Sequence, residues 1–269
     1  MFKTLRNAWK IPELRKKIIF TAFILLLYRL GNRIPVPGVD VAALRTFFDT
    51  TLSTTVLGFY NTLSGSAFSE ATILALSIQP YINASIIIQL LTIAIPALER
   101  LAKDGGEEGK KKIERITRYT TVGLGLLMGF AYTVMLSNYG ILADGLSIWS
   151  IQGLSIVFTF TAGSALVMWL GEQITEHGIG NGISIILFAN IISRFPDNII
   201  NTITGLSAGT MQWWAALIMI VGIVVLAFLI VFVNDAERRI PIQYAKRVVG
   251  RKVYGGQNTN LPIKVNMSG

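Results

Sequence analysis

The 269-residue sequence is 52% hydrophobic and 14% charged, with a mean hydropathy of +0.56, whereas an ordinary soluble domain is about a quarter charged. It holds no cysteine and one histidine, His177, which excludes a disulfide framework and cysteine-based metal or redox chemistry. Its net charge of +9 takes its meaning from where the charges fall.

Crossing about 30 Å of hydrocarbon takes roughly 20 mainly apolar residues as helix, because backbone groups there must be satisfied inside the segment. Residues 1–17 form a basic opening with Lys3, Arg6, Lys10, Arg15, Lys16 and Lys17, and the first predicted span is Ile18 to Val36. No small-residue cleavage site follows it, and more apolar segments come later, so it does not read as a signal peptide. From Pro35 to Glu70 the chain is too polar to span, yet it carries Phe47, Phe48, Phe59 and Tyr60. Within it LGFYNTLSGSAFS, Leu57 to Ser69, can form a short helix weakened by Gly58 and Gly65. Such a helix either lies on the outer leaflet or is buried in protein or beside an aqueous cavity, and composition leaves both open.

The second predicted span, Ala71 to Leu98, contains Pro80, which favours a kink or a late helix start. Ile82, Ile86 and Leu90 recur every four residues and share one face, with Asn83 beside it. An amide there serves as helix-to-helix glue or borders a watery path. After a basic loop (Arg100, Lys103, Lys110, Lys111, Lys112, Arg115, Arg118) come spans at Thr117 to Ser137 and Gly153 to Leu170. GEQITEHGIGNG, with Glu172, Glu176 and His177, reads as a glycine-rich turn whose lone histidine makes no metal site. The fifth span, Ile183 to Asn201, repeats the spacing at Ile183, Leu187 and Ile191, and its apolar run stops at Arg194, Phe195 and Pro196. It is either a short tilted helix or one that ends at the membrane surface. By periodicity, stripes of this kind face lipid or pack in a core.

The sixth span is Gln212 to Val233. Beyond it RRIPIQYAKRVVGRKVYGGQNTNLPIKVN alternates at Ile240, Ile242 and Tyr244 and again at Leu261, Ile263 and Val265, with Gly255 and Gly256 between the runs. It reads as a basic hairpin, suited to anionic lipid or to docking a partner. If every span crosses once, the three basic segments share one side and only Arg29, Arg33, Arg45 and Arg194 face the other. The positive-inside rule makes the basic side cytoplasmic, with both ends of the chain on it.

Phosphate-loop and nucleophile-elbow patterns are missing from the sequence, and Ser64 and Ser66 have no histidine or lysine nearby to act as base. An enzyme is not indicated, and no cofactor is expected. Ion-coupled transporters place ionisable residues inside their spans. Here the span interiors carry none, and Arg29, Arg33 and Arg194 sit near ends where they can snorkel. A secondary transporter with a broken second span stays as the alternative.

QPYINASIIIQLL (Gln79 to Leu91), GEQITEHGIGNGISIILFANI (Gly171 to Ile191), RRIPIQYAKR with LPIKVNMSG, and NRIPVPGVD (Asn32 to Asp40) together resemble the SecY family in register along nearly the whole sequence. The resemblance implies an all-α polytopic membrane protein, a SecY-type helical bundle. It would comprise a first inverted-repeat half (residues 18–201), an outer loop and sixth span (202–233), and a basic cytoplasmic β-hairpin-like loop (234–269). A seventh span would be expected next.

It implies a protein-conducting channel subunit of the bacterial plasma membrane, for Sec-dependent secretion and membrane-protein insertion. Partners would be SecE and SecG, the SecA ATPase, the ribosome, translocating polypeptides with their signal sequences, and the lipid bilayer. Carried onto this sequence, the pore ring falls on Ile82, Ile86, Leu187 and Ile191. The plug falls on Leu57, Gly58, Phe59, Tyr60, Asn61, Thr62 and Leu63, followed by Ser64, Gly65, Ser66, Ala67, Phe68 and Ser69. The docking surface for SecA or ribosome falls on Arg239, Lys246, Arg247, Arg251 and Lys252, and the second and third spans lie on the lateral gate. A ring of branched apolar side chains dewets a constriction, and its non-directional contacts accept any peptide sequence.

Overall fold

The computed structural model describes residues 9–143, 146–242, 247–249, 252–254 and 259–264. The chain divides into two compact units, Met1–Pro196 and Asp197–Gly269.

In the first unit, α1 (Pro12–Gly31) begins on a proline whose fixed φ suits a first turn. It ends sooner than the predicted Val36, because Asn32 turns the chain and Pro35 bridges to Thr72 in extended form. Asp40 caps α2 (Val41–Phe47), its carboxylate accepting from the Ala42 and Ala43 N–H groups at 2.9 and 3.1 Å. A π-helical turn, Phe48–Leu52, leads to α3 (Val56–Leu63).

The second predicted span starts late. Residues 71–78 form successive turns, with Ala71 and Ser77 at φ 43° and 50°, and α4 (Gln79–Ala94) opens with Pro80 in its first turn. At the other end Ile95 is extended before Pro96, and α5 (Pro96–Lys103) leaves at 101° to α4. The long α6 (Gly106–Asn138) carries the third span and includes much of the basic loop. α7 (Ile151–His177) runs past the predicted Leu170, so GEQITEH is helical and only residues 178–181 turn. The helical pattern continues there because its glycines cluster after His177. Asn181 caps α8 (Gly182–Ser193) from Oδ1. The fifth predicted span is interrupted for one residue at Arg194, after which α9 (Phe195–Ser207), most of it in the second unit, begins with Pro196 in its first turn.

Two apolar clusters hold this unit. One joins Leu44, Phe48, Phe68, Tyr132, Ile156 and Phe160, and the other joins Ile24, Tyr28, Leu74, Ile78, Ile174 and Ile186. α7 touches the turn before α4 through Gly163, where a Cβ would stand 1.7 Å from the Ile73 carbonyl oxygen.

In the second unit α10 (Trp213–Asp235) is apolar on every side, with Ala216 its one buried residue, as expected of a helix in lipid. After it β1 (Glu237–Ile242) pairs antiparallel with β4 (Thr259–Lys264), and β2 (Arg247–Val249) with β3 (Lys252–Tyr254). The hairpin is therefore nested. β2 pairs with β3 inside the β1–β4 pair, and Gly255 and Gly256 lie outside the described residues. Ile240 stands opposite Leu261, and the prolines at 241 and 262 share one parity of the ladder, so a single set of sites forgoes their N–H donors.

Among the described residues, four helical runs are long and apolar enough to cross a membrane: Gly106–Asn138, Ile151–His177, Gly182–Ser207 and Trp213–Asp235, with the bent pair α4–α5 as a fifth. α1 falls short of that measure. Glu13, Arg15, Lys16, Lys17 and Arg29 occupy its two ends.

Candidate pore ring and plug

α4 and α8 both rest against α7 and do not pack on each other along their lengths. Each carries one predicted stripe. Ile82 and Leu187 pack against the cluster around Ile78, Ile174 and Ile186. One turn further on, Ile86 and Ile191 are 51% and 49% exposed. Each helix therefore turns its inner face to the core and offers a branched apolar rim along its neighbouring face. On α8 the division is sharp, since Ile186 and Asn190 are fully buried beside partly buried Leu187 and half-exposed Ile191.

Only the first part of the predicted plug is helical. α3 ends at Leu63, and turns continue through Ser69. Gly65 marks the exit, at φ +66°, where an L side chain is rarely placed. The helix start is open, with Val56 83% and Phe59 66% exposed. The following turns are buried: Ser64, Ala67 and Phe68 are each at or below 5% exposure. Of the two readings left open by composition, burial in protein describes this second part.

Several bonds secure it. The Tyr60 hydroxyl donates to the Leu76 carbonyl at 3.0 Å, Asn61 Oδ1 accepts from the Ser69 N–H at 2.9 Å, and the Tyr132 hydroxyl donates to the Phe68 carbonyl. The Phe68 ring stacks on Tyr132 at 4.2 Å. Burial, and then Tyr28, push the Tyr60 phenol well above its ordinary pKa, so it stays a neutral donor. An apolar cavity of about 240 Å³ lies beside the predicted plug segment, lined by Leu57, Tyr60, Phe68, Leu76, Met128 and Tyr132 among others.

Arg194 ends α8, and its Nε donates to Ser66 Oγ at 2.7 Å. Arg29 lies beside Gly65, its Nη1 3.1 Å from where a Cβ would stand. Glu70 receives Arg45 at 2.7 Å and approaches Arg33 at 3.8 Å. Sequence reasoning missed Asn190, whose amide reaches Leu63 of the predicted plug segment, Tyr28 of α1 and Ser77. The available signal was one amide inside the apolar run ILFANII.

For the docking surface, Arg239 is exposed on β1 opposite Pro262. Arg247 and Lys252 stand on β2 and β3. Lys246 and Arg251 lie outside the described residues.

The SecY family model matches residues 72–269. The chain belongs to the SecY family. It is 44% identical to the protein translocase subunit SecY of Streptomyces scabiei over 279 residues, and 42% identical to that of Thermotoga maritima over 275. All of this chain is covered in both alignments, with 63% and 62% of those relatives, so it spans a little under two thirds of their length. The Thermus thermophilus subunit is 44% identical over 273 residues, with 62% of it covered. Among solved structures, a protein conducting channel superposes with a TM-score of 0.61 at 19% identity, over 97% of this chain and 57% of that one. The channel in a canine ribosome-channel complex from the endoplasmic reticulum gives 0.58 at 18%, over 93% and 57%. These likenesses show the SecY-type helical fold.

Proposed function

We propose that this chain forms one wall of a protein-conducting channel in a bacterial plasma membrane, through which polypeptides are secreted and apolar helices pass to lipid. The observation that carries the reading is the pair of aliphatic rims on α4 and α8, half-exposed at Ile86 and Ile191, with the plug helix packed against α8. Ile82, Ile86, Leu187 and Ile191 are the ring residues, and Leu57 to Ser69 the plug. At rest the rims exclude water from the narrowest point, so ions find no continuous path. A passing chain meets flexible hydrocarbon, which accepts any sequence because dispersion is non-directional.

The basic hairpin after α10 faces the cytoplasm together with both ends of the chain, and Arg239, Lys246, Arg247, Arg251 and Lys252 dock SecA or a translating ribosome. The relatives' name, protein translocase subunit, and the ribosome complex of one structural neighbour support this reading. SecE and SecG complete the assembly, and no step in conduction calls for a cofactor or a catalytic group.

Replacing Ile82, Ile86, Leu187 and Ile191 by asparagine or serine in the full-length protein tests the ring. Ion leak rises while export continues. Unchanged conductance removes the ring assignment.

A further inference from the structure

Asn190 is fully buried on α8, and three acceptors surround its amide nitrogen: the Leu63 carbonyl oxygen at 2.9 Å, Tyr28 Oη at 2.9 Å and Ser77 Oγ at 3.2 Å. An amide has two protons to give. The Tyr28 and Ser77 hydroxyls lie 3.1 Å apart and can satisfy each other, whereas the Leu63 carbonyl can only accept. Leu63 is the last residue of α3, where carbonyls lack intrahelical partners. The amide from α8 thus caps the plug helix from outside.

One turn along the same helix, Arg194 donates to Ser66 Oγ at 2.7 Å, so the two tethers grip the chain on either side of Gly65. Ser66 and Ser77 hold φ of 74° and 50°, uncommon for residues with a Cβ. At both places the backbone is bent so that a hydroxyl meets an α8 side chain. Residues 190 and 194 share one stripe of α8, and Leu187 and Ile191 lie on the adjoining stripe.

We infer that Asn190 and Arg194 are positioning residues that latch the plug shut, and that α8 couples the latch to the ring. A polypeptide that presses on Leu187 and Ile191 displaces α8, which draws Asn190 away from Leu63 and Arg194 away from Ser66. Widening of the ring and release of the plug are then one movement. The inference rests on the plug reading given above.

The test uses the full-length channel in the membrane with Ala67, 1% exposed, replaced by cysteine, and a membrane-impermeant maleimide added from the outer side. With the wild-type latch, alkylation is slow at rest and accelerates when a signal-bearing polypeptide engages. Asn190→Ala and Arg194→Ala each raise the resting rate about fivefold, the effect of losing one typical hydrogen bond. Arg194→Lys, which keeps a donor, stays within about twofold of wild type on the same ground. Arg194 is only partly buried, so its variants remain informative if loss of the buried amide prevents folding. Resting rates unchanged by Arg194→Ala, with acceleration on engagement intact, overturn the latch and leave the plug. An Arg194→Lys rate as high as Arg194→Ala overturns the hydrogen-bonded tether. Absence of acceleration in the wild type overturns the plug reading, and the latch with it.

Discussion

Gly65→Ala isolates the exit turn of the plug. At φ +66° an L side chain costs about 1–2 kcal/mol relative to the right-handed region. The added methyl also lies 3.1 Å from Arg29 Nη1, 3.1 Å from Asn190 Oδ1 and 3.3 Å from Asn190 Cα. The arginine end can swing aside. Asn190 cannot, because its amide is committed and its backbone belongs to α8, so the crowding adds to the backbone cost. A penalty of 1–2 kcal/mol on the seated plug raises the displaced population about 5- to 30-fold. Single-channel recording of the full-length protein in planar bilayers reads this as a matching rise in spontaneous openings. Gly123→Ala, with nothing within 4 Å of the new Cβ, leaves the frequency unchanged. Equal opening frequencies for Gly65→Ala and wild type refute the reasoning.

Gly163→Ala places a methyl 1.7 Å from the Ile73 carbonyl oxygen, which is backbone and cannot turn away. It should cost about 1–3 kcal/mol or more, seen as a lower thermal midpoint in detergent; an unchanged midpoint contradicts the close packing. Tyr132→Phe deprives the buried Phe68 carbonyl of its donor and should cost about 1–3 kcal/mol by the same measurement. Arg45→Ala should cost under about 1 kcal/mol, because the arginine side chain is 56% exposed although its bond to Glu70 is short. Charge reversal at Arg239, or at Arg247 and Arg251, should weaken SecA or ribosome binding most at low salt; equal binding at all salt concentrations removes the docking assignment.

Apolar runs marked the later helices that are long and apolar enough to cross a membrane, whereas α1 falls short of that measure. Their ends were less legible. ATILALSI, residues 71–78, is apolar enough to extend the second span, yet the chain turns there, with left-handed Ala71 and Ser77 and Pro80 suited to a first helical turn. Hydropathy cannot distinguish such turns from helix when both are buried. GEQITEH reads as a turn only through its neighbours Gly178, Gly180 and Gly182, whereas its own residues favour helix. The ring assignment rests on the family resemblance, because periodicity alone favours lipid contact or core packing. Asn190 escaped notice because its partners Tyr28, Leu63 and Ser77 are 162, 127 and 113 residues away, a convergence that only folding produces. The bond from Arg194 escaped notice because its acceptor, Ser66, is equally remote in sequence. In the hairpin Ile240, Ile242, Leu261 and Ile263 stand on paired strands, while Tyr244 and Val265 lie outside the described residues, and the inner pairing of Arg247–Val249 with Lys252–Tyr254 is not marked by turn residues in the outer runs.

A photo-crosslinking residue in place of Ile86 in the full-length protein, with a secretory polypeptide arrested midway, asks whether the aliphatic rims surround a moving chain. A covalent adduct between position 86 and the arrested polypeptide is expected, and a second at position 191. No adduct at either position, together with saturable uptake of a small solute, would contradict a protein-conducting channel and point to a transporter.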